Sequence, residues 1–140
     1  MRFILILVTL FGMLTLSGIS LAARSLEVID NNRYALVIGN NAYRSTAQLE
    51  KAGNDALAMG KSLERIGYRT TVLIDANRRQ MNTAINRFVE NITGGGEGVL
   101  FFAGHGVQIN NQNFLLPVDI DNPRHEADVG DQAISLQSVQ

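Results

Sequence analysis

The sequence has no cysteine. It therefore has no disulfide to brace an exported fold, no thiolate metal ligand and no thiol nucleophile. It also lacks an excess of charge of either sign, with 12 basic and 13 acidic residues. A nearly balanced surface gives no electrostatic case for nucleic acid as a partner. Internal repeats and low-complexity tracts are absent as well. Gly94-Gly95-Gly96 precedes an apolar run instead of joining a strand to a helix, so it is no phosphate loop. Gly39-Asn40-Asn41-Ala42 lacks the glycine spacing of a dinucleotide site. No cofactor is expected. Asp119 and Asp121 lie two apart with no further ligands, too few oxygens for calcium, and no metal is expected either.

One long apolar stretch opens the chain. Phe3 to Ala23 carries no charge and follows the basic Arg2. Ser20-Leu21-Ala22 or Leu21-Ala22-Ala23 offers small residues for cleavage, the pattern of a signal peptide. The same stretch is just long enough to cross a bilayer, so a retained anchor is the rival reading. Either way, residues 24–140 are expected outside the cytoplasm, periplasmic or secreted, with membrane contact only if 3–23 persists as an anchor. Without Arg2 the remaining 11 basic residues face 13 acidic ones, a net charge of −2. We read 1–23 as the targeting segment, 24–32 as a linker and 33–140 as a single domain.

Within that domain, apolar runs alternate with amphipathic ones. Arg33–Ile38, Tyr68–Ile74 and Gly98–Ala103 read as strands, the first and third apolar enough to be buried on both faces. Ala56, Met59, Leu63 and Ile66 form the stripe of one helix, with Asn54 or Asp55 as its cap and Gly67 at its end. Met81, Ile85, Phe88, Val89 and Ile92 form the stripe of another. Val107–Ile109 and Phe114–Leu116 read as a hairpin around Asn110–Asn113. Ala42–Ala52 reads as loop, and the tail from Asp119 as polar, with Ile134, Leu136 and Val139 too few to define an element. Strand–helix–strand–helix–strand predicts an α/β fold with a helix-flanked, mostly parallel sheet joined by right-handed crossovers.

In such sheets, functional groups gather at the carboxyl ends of the strands. His105 sits there with glycine on both sides, where the backbone turns tightly and a substrate can approach the main chain. An imidazole in that position suits proton transfer, and a plain histidine in a glycine turn suits the pattern equally. Asp55 caps a helix or offers a carboxylate to a cation. Asn40 and Asn41 are expected to hold loop geometry through side-chain to backbone bonds. His125, between Arg124 and Glu126, reads as solvated surface.

Phe101-Phe102-Ala103-Gly104-His105-Gly106 resembles the histidine motif of the caspase and metacaspase peptidases. Arg33–Asn40 is similar to that family's first strand, Gly53-Asn54-Asp55-Ala56 to the opening of its first helix, and Asn113–Asp119 to the strand after the histidine hairpin. The motifs occur in family order across about 33–120. The resemblance implies a Cys–His endopeptidase acting on proteins or peptides, with His105 as the base and acid and the Gly106 N–H in the oxyanion hole. It also implies that Asp55 lines a pocket for a basic side chain before the scissile bond. Caspases place an arginine ahead of this helix to bind aspartate, whereas Gln48-Leu49-Glu50-Lys51 has none. Metacaspases usually carry serine two residues before the histidine, where this chain has Ala103.

On the family spacing the cysteine falls about 50 residues after the histidine, near position ~155. We therefore expect a fragment that is inactive as it stands, or else a natively short homologue. Two other functions fit parts of the pattern. One is a non-catalytic caspase-like module that binds peptides or partner domains. The other is a serine hydrolase, which needs a Gly-x-Ser-x-Gly elbow that Ser45, Ser62, Ser135 and Ser138 all lack.

Overall fold

In the computed structural model, which describes residues 3–5, 32–121 and 125–139, the apolar runs become strands of one parallel sheet. Its strands are β1 (Phe3–Leu5), β2 (Arg33–Gly39), β3 (Arg69–Ile74) and β4 (Glu97–Ala103), in the order β1-β4-β2-β3. β2 is central, and its neighbours Val72 and Phe101 flank Val37 in register. Of the stretch read as targeting segment and linker, only Phe3–Leu5 and Asn32 are described. Phe3–Leu5 pairs in parallel with Gly98–Leu100 at the outer edge of β4. No helix among the described residues is long and apolar enough to cross a membrane.

Period-two alternation splits β2 between two cores. Leu36 and Ile38 face α2 (Arg78–Thr93) with Met81, Ile85, Phe88 and Ile92. Ala35 and Val37 face α1 (Ala52–Arg65) with Ala56, Leu63 and Tyr68. Each Val, Leu, Ile, Phe or Met among them contributes about 1.5–3 kcal/mol on burial, which is why the uninterrupted apolar run belongs to the middle of the sheet. α1 lies close against the sheet at Gly39, where a Cβ would sit 2.4 Å from the Ala52 carbonyl oxygen.

α1 ends in a Schellman motif. Gly67 takes φ 92°, its N–H bonds to Glu64, and the Tyr68 N–H bonds back to Leu63. Its start differs from expectation. Lys51 is the N-cap and gives no side-chain bond, so Asn54 and Asp55 lie inside the first turn. The Gly53 N–H is satisfied from outside the helix, by Asn41 Oδ1 at 3.2 Å. Ile66 leaves the buried stripe and is 59 % exposed, because it is the C-cap residue where the helical path ends. α2 opens with a reciprocal box in which Asn77 Oδ1 accepts from Gln80 N–H at 2.9 Å and Gln80 Oε1 accepts from Asn77 N–H at 3.0 Å.

A small antiparallel sheet follows β4: β5 (Gly106–Ile109), β6 (Gln112–Leu115) and β7 (Ile134–Ser135). Asn110 and Asn111 both take positive φ, the type I′ turn that suits a two-residue hairpin. The tail is more ordered than expected. Glu126–Gln132 forms a short helix, α3, and Ile134 pairs with Leu115 and joins the α2 core. Two apolar residues are too weak a local signal, and β7 exists because β6 already presents an edge. His125 is exposed at the start of α3.

At the opposite end of the parallel sheet, Arg33, Tyr68 and Glu97 form a clamp. The Arg33 guanidinium lies 4.2 Å from the Tyr68 ring centroid, and its Nη1 donates to the Ile66 carbonyl at 2.8 Å. Tyr68 O–H donates to Glu97. Arg33 Nε is 3.4 Å from Glu97 Oε2, close enough to pair but without an aligned hydrogen bond. The bond from Tyr68, aided by Arg33, holds the Glu97 carboxyl below its usual range. A lowered carboxylate adds stability above its unfolded pKa, and that stability is lost as pH falls through the folded value. Glu97→Gln is therefore expected to cost less than about 1 kcal/mol at pH 7, because the pair is exposed. The difference from the parent should shrink as pH falls below the unfolded carboxylate value of about 4.3 and vanish once pH is below the lowered folded value. Urea unfolding of both proteins at neutral and acid pH checks this, and a gap that persists at acid pH refutes it.

Candidate active site

The sharp ends of β2, β3 and β4 converge on one buried asparagine. Asn40 is 0 % exposed. Its Oδ1 accepts from the Ala76 N–H at 2.9 Å, and its Nδ2 donates to the Leu116 carbonyl at 3.1 Å. Its own N–H bonds to the Ala103 carbonyl at 2.9 Å. One side chain thus ties the turn after β3 and the strand exit after β6 to the end of β2. Asp75, at φ 52°, turns its Oδ1 onto the N–H groups of Asn41 and Ala42 at 2.7 and 2.9 Å. The expected loop-holding role of Asn40 and Asn41 is what the geometry shows.

That frame positions His105. Its main-chain N–H donates to the Tyr43 hydroxyl at 2.8 Å, and Tyr43 O–H lies 3.2 Å from the Leu116 carbonyl. The Tyr43 and His105 rings pack with centroids 4.6 Å apart. Burial pushes the Tyr43 phenol up from its ordinary value, so the hydroxyl stays neutral and keeps its proton for Leu116. Gly104 is required for this contact, since a Cβ there would lie 2.6 Å from the Tyr43 hydroxyl. His105 Nε2 lies 2.7 Å from the Ala47 carbonyl oxygen. A carbonyl only accepts, so Nε2 carries a proton, and in the neutral ring Nδ1 holds the lone pair. Nδ1 has no hydrogen-bond partner among the described residues. Sequence reading missed Tyr43, Ala47 and Asp75. A lone aromatic inside the polar stretch after Gly39 was the available signal for Tyr43. Ala47 acts through its backbone, which leaves no trace in sequence.

Gly106 is exposed at the start of β5. The Leu116 N–H bonds to the His105 carbonyl at 3.0 Å. Alternation along an antiparallel pair then turns the Gly106 N–H away from β6. An apolar cleft of about 420 Å³ runs from Leu100 and Phe102 past Gly104 to Gly106 and Val107. Asp55 is exposed in the first turn of α1, at the same end of the sheet; its main-chain N–H bonds to the Lys51 carbonyl at 2.9 Å, and its carboxylate has no hydrogen bond or ion pair among the described residues. Among the described residues no hydrogen bond or ion pair joins it to His105. Asp119, considered for calcium, accepts from the Arg78 N–H at 2.9 Å. No group of metal-ligating side chains occurs among the described residues.

The model of the caspase domain covers residues 32–137. The chain belongs to the caspase-domain peptidase family. It is 30 % identical over 97 residues to human mucosa-associated lymphoid tissue lymphoma translocation protein 1, and 29 % identical over 97 residues to the mouse homolog. Those matches cover 69 % of this chain and 12 % of each relative. The caspase-like α/β fold expected from sequence is the fold observed, with the caspase-domain match running through α3 to residue 137.

Proposed function

We propose that this chain supplies the histidine half of a cysteine-type endopeptidase acting on protein substrates. The observation that carries the reading is the geometry of His105: Nε2–H fixed by the Ala47 carbonyl, and an unpartnered Nδ1 at the carboxyl end of β4. Nδ1 is placed to take the proton of a thiol as its sulfur attacks the scissile carbonyl carbon. The same nitrogen then returns that proton to the leaving amine as the C–N bond breaks. The outward N–H of Gly106 meets the charge that develops on the carbonyl oxygen. The sequence contains no cysteine, so the chain alone offers no covalent path and is inactive by itself.

Asp55 is proposed to receive a basic side chain, since its carboxylate is exposed and unpaired at the same end of the sheet. Asp55→Ala is expected to weaken binding of a peptide ending in Arg by at least about tenfold, leaving an alanine counterpart unchanged. Isothermal titration of the two peptides decides this, and equal affinity of parent and variant for the Arg peptide would sink the assignment. The absence of cysteine favours a second reading, a peptide-binding module without catalysis. Measurable binding by the 140-residue chain, with no activity in any longer gene product, would select it.

We also propose export, from the uncharged run Phe3–Ala23. Cleavage near Ala23 would remove β1 and free the β4 edge at Gly98–Leu100 for another strand.

A further inference from the structure

Away from His105, one cavity combines an open sheet edge with unneutralised cations. α2 packs mainly on β2 and β4, and on its face of the sheet β3 stays partly open, with Leu73 packed against the α2 core and Arg69 and Thr71 exposed. The result is a groove of about 360 Å³ between β3 and α2. Leu73 and Phe88 form part of its lining. Arg69 from β3 and Arg79 and Arg87 from α2 line it as well, and no acidic side chain does. All three arginines are exposed, and among the described residues none is ion-paired. Arg69 leans on the Tyr34 ring, 5.7 Å from its centroid.

Arg79 also stands in the first turn of α2, which contains no acid of its own, although Asp119 Oδ1 accepts from the Arg78 N–H at that helix end. Nothing in the packing of the fold requires these charges. Their spacing is regular: Arg79, Thr83, Arg87 and Asn91 recur every four residues along one side of α2. At 1.5 Å per residue, the two arginines stand about 12 Å apart along the groove. β3 is the last strand of its sheet, so its outer N–H and C=O groups have no strand partner among the described residues.

We propose that this groove binds an extended acidic segment of a partner protein, added as a strand to the outer edge of β3. Alternate side chains of a strand repeat at about 6.6–6.8 Å, so acids at i and i+4 span about 13 Å and match Arg79 and Arg87. An acid near Arg69 completes the set, and an apolar residue on the same side meets Leu73 and Phe88. Main-chain bonds would supply affinity and the arginines the preference for acids. The net charge of −1 argues against a simple polyanion surface.

The test uses the 140-residue chain and a fluorescent peptide whose one strand face carries Glu, Val and Glu at successive alternate positions and whose other face carries Thr, at roughly 0.15 M salt. Three controls accompany it: a Lys-for-Glu version, a version N-methylated on the edge-facing residues, and inorganic polyphosphate. Saturable binding is expected, weakened at least about tenfold by R79E/R87E, by the milder R79Q/R87Q, and by N-methylation, with the Lys peptide silent. Circular dichroism of the variants confirms folding. No binding by the parent overturns the proposal. So does an N-methylated peptide that binds as well as the plain one, or polyphosphate that competes charge for charge, since either outcome means unspecific attraction of anions. His105 and Asp55 take no part, so the outcome is independent of the peptidase reading.

Discussion

The purified 140-residue chain is expected to release no product from a peptidyl-arginine amide. The same domain continued through a cysteine-bearing segment is expected to cleave it, and His105→Ala is expected to lower kcat/KM by about 10²–10⁴-fold. The reasoning rests on which step needs the imidazole. A thiol at neutral pH is mostly protonated, and a neighbouring base raises its thiolate fraction and later protonates the amine. His105 holds Nε2–H against the Ala47 carbonyl at 2.7 Å, so only Nδ1 can serve. Tyr43→Phe provides the graded companion. It removes the acceptor of the His105 N–H but leaves the imidazole in place, so it should lower kcat by less than His105→Ala and leave KM nearly unchanged. Full activity of the thiol-bearing domain after His105→Ala would end the assignment. So would turnover by the cysteine-free chain that disappears on the same substitution.

The second large effect falls on stability. Asn40→Ala is expected to cost roughly 2–5 kcal/mol, a large part of the 5–15 kcal/mol typical of a domain. Asn40 is fully buried and pairs with the Ala76 N–H and the Leu116 carbonyl. Truncation leaves the Ala76 N–H without its 2.9 Å partner, and each unpaired buried group costs about 1–3 kcal/mol. Leu116 keeps Tyr43 as a partner, which moderates its share. Asn40→Asp keeps the shape but turns an oxygen towards the Leu116 carbonyl, so it should destabilise at least as much at neutral pH. Urea unfolding of the three proteins measures both effects. A loss under about 1 kcal/mol for Asn40→Ala would show that the turns after β3 and β6 hold without it.

The two predictions meet at one place, because the polar frame around Asn40 carries the loop that carries Tyr43 and Ala47. A destabilised Asn40 variant should therefore also loosen His105. The Nε2–H tautomer, visible in nitrogen-15 spectra of the imidazole, would report that coupling.

The sequence alone determined the layered α/β architecture. Uncharged runs such as Ala35–Ile38 and Val99–Ala103 have no low-energy place except between two helix layers. The helical stripe Met81–Ile85–Phe88–Ile92 can bury only one way. It also drew attention to His105, but a histidine between glycines at a strand exit suits a plain turn equally, and the proposed role comes from the family resemblance. What the chain could not display locally, only the tertiary structure decided. The cap of α1 comes from Asn41, twelve residues before Gly53, and not from a residue at the helix start. The His105 backbone is held by Tyr43, and its ring nitrogen by a carbonyl that any residue at position 47 would own. β7 forms from a tail with little propensity because β6 offers it a partner. The arginine groove appears only when α2 settles mainly over β2 and β4, which places Arg69 beside a row of α2 ten residues and more along the chain. Each of these is a relation between distant backbone groups, and side-chain periodicity carries no record of which backbone group a neighbour will find.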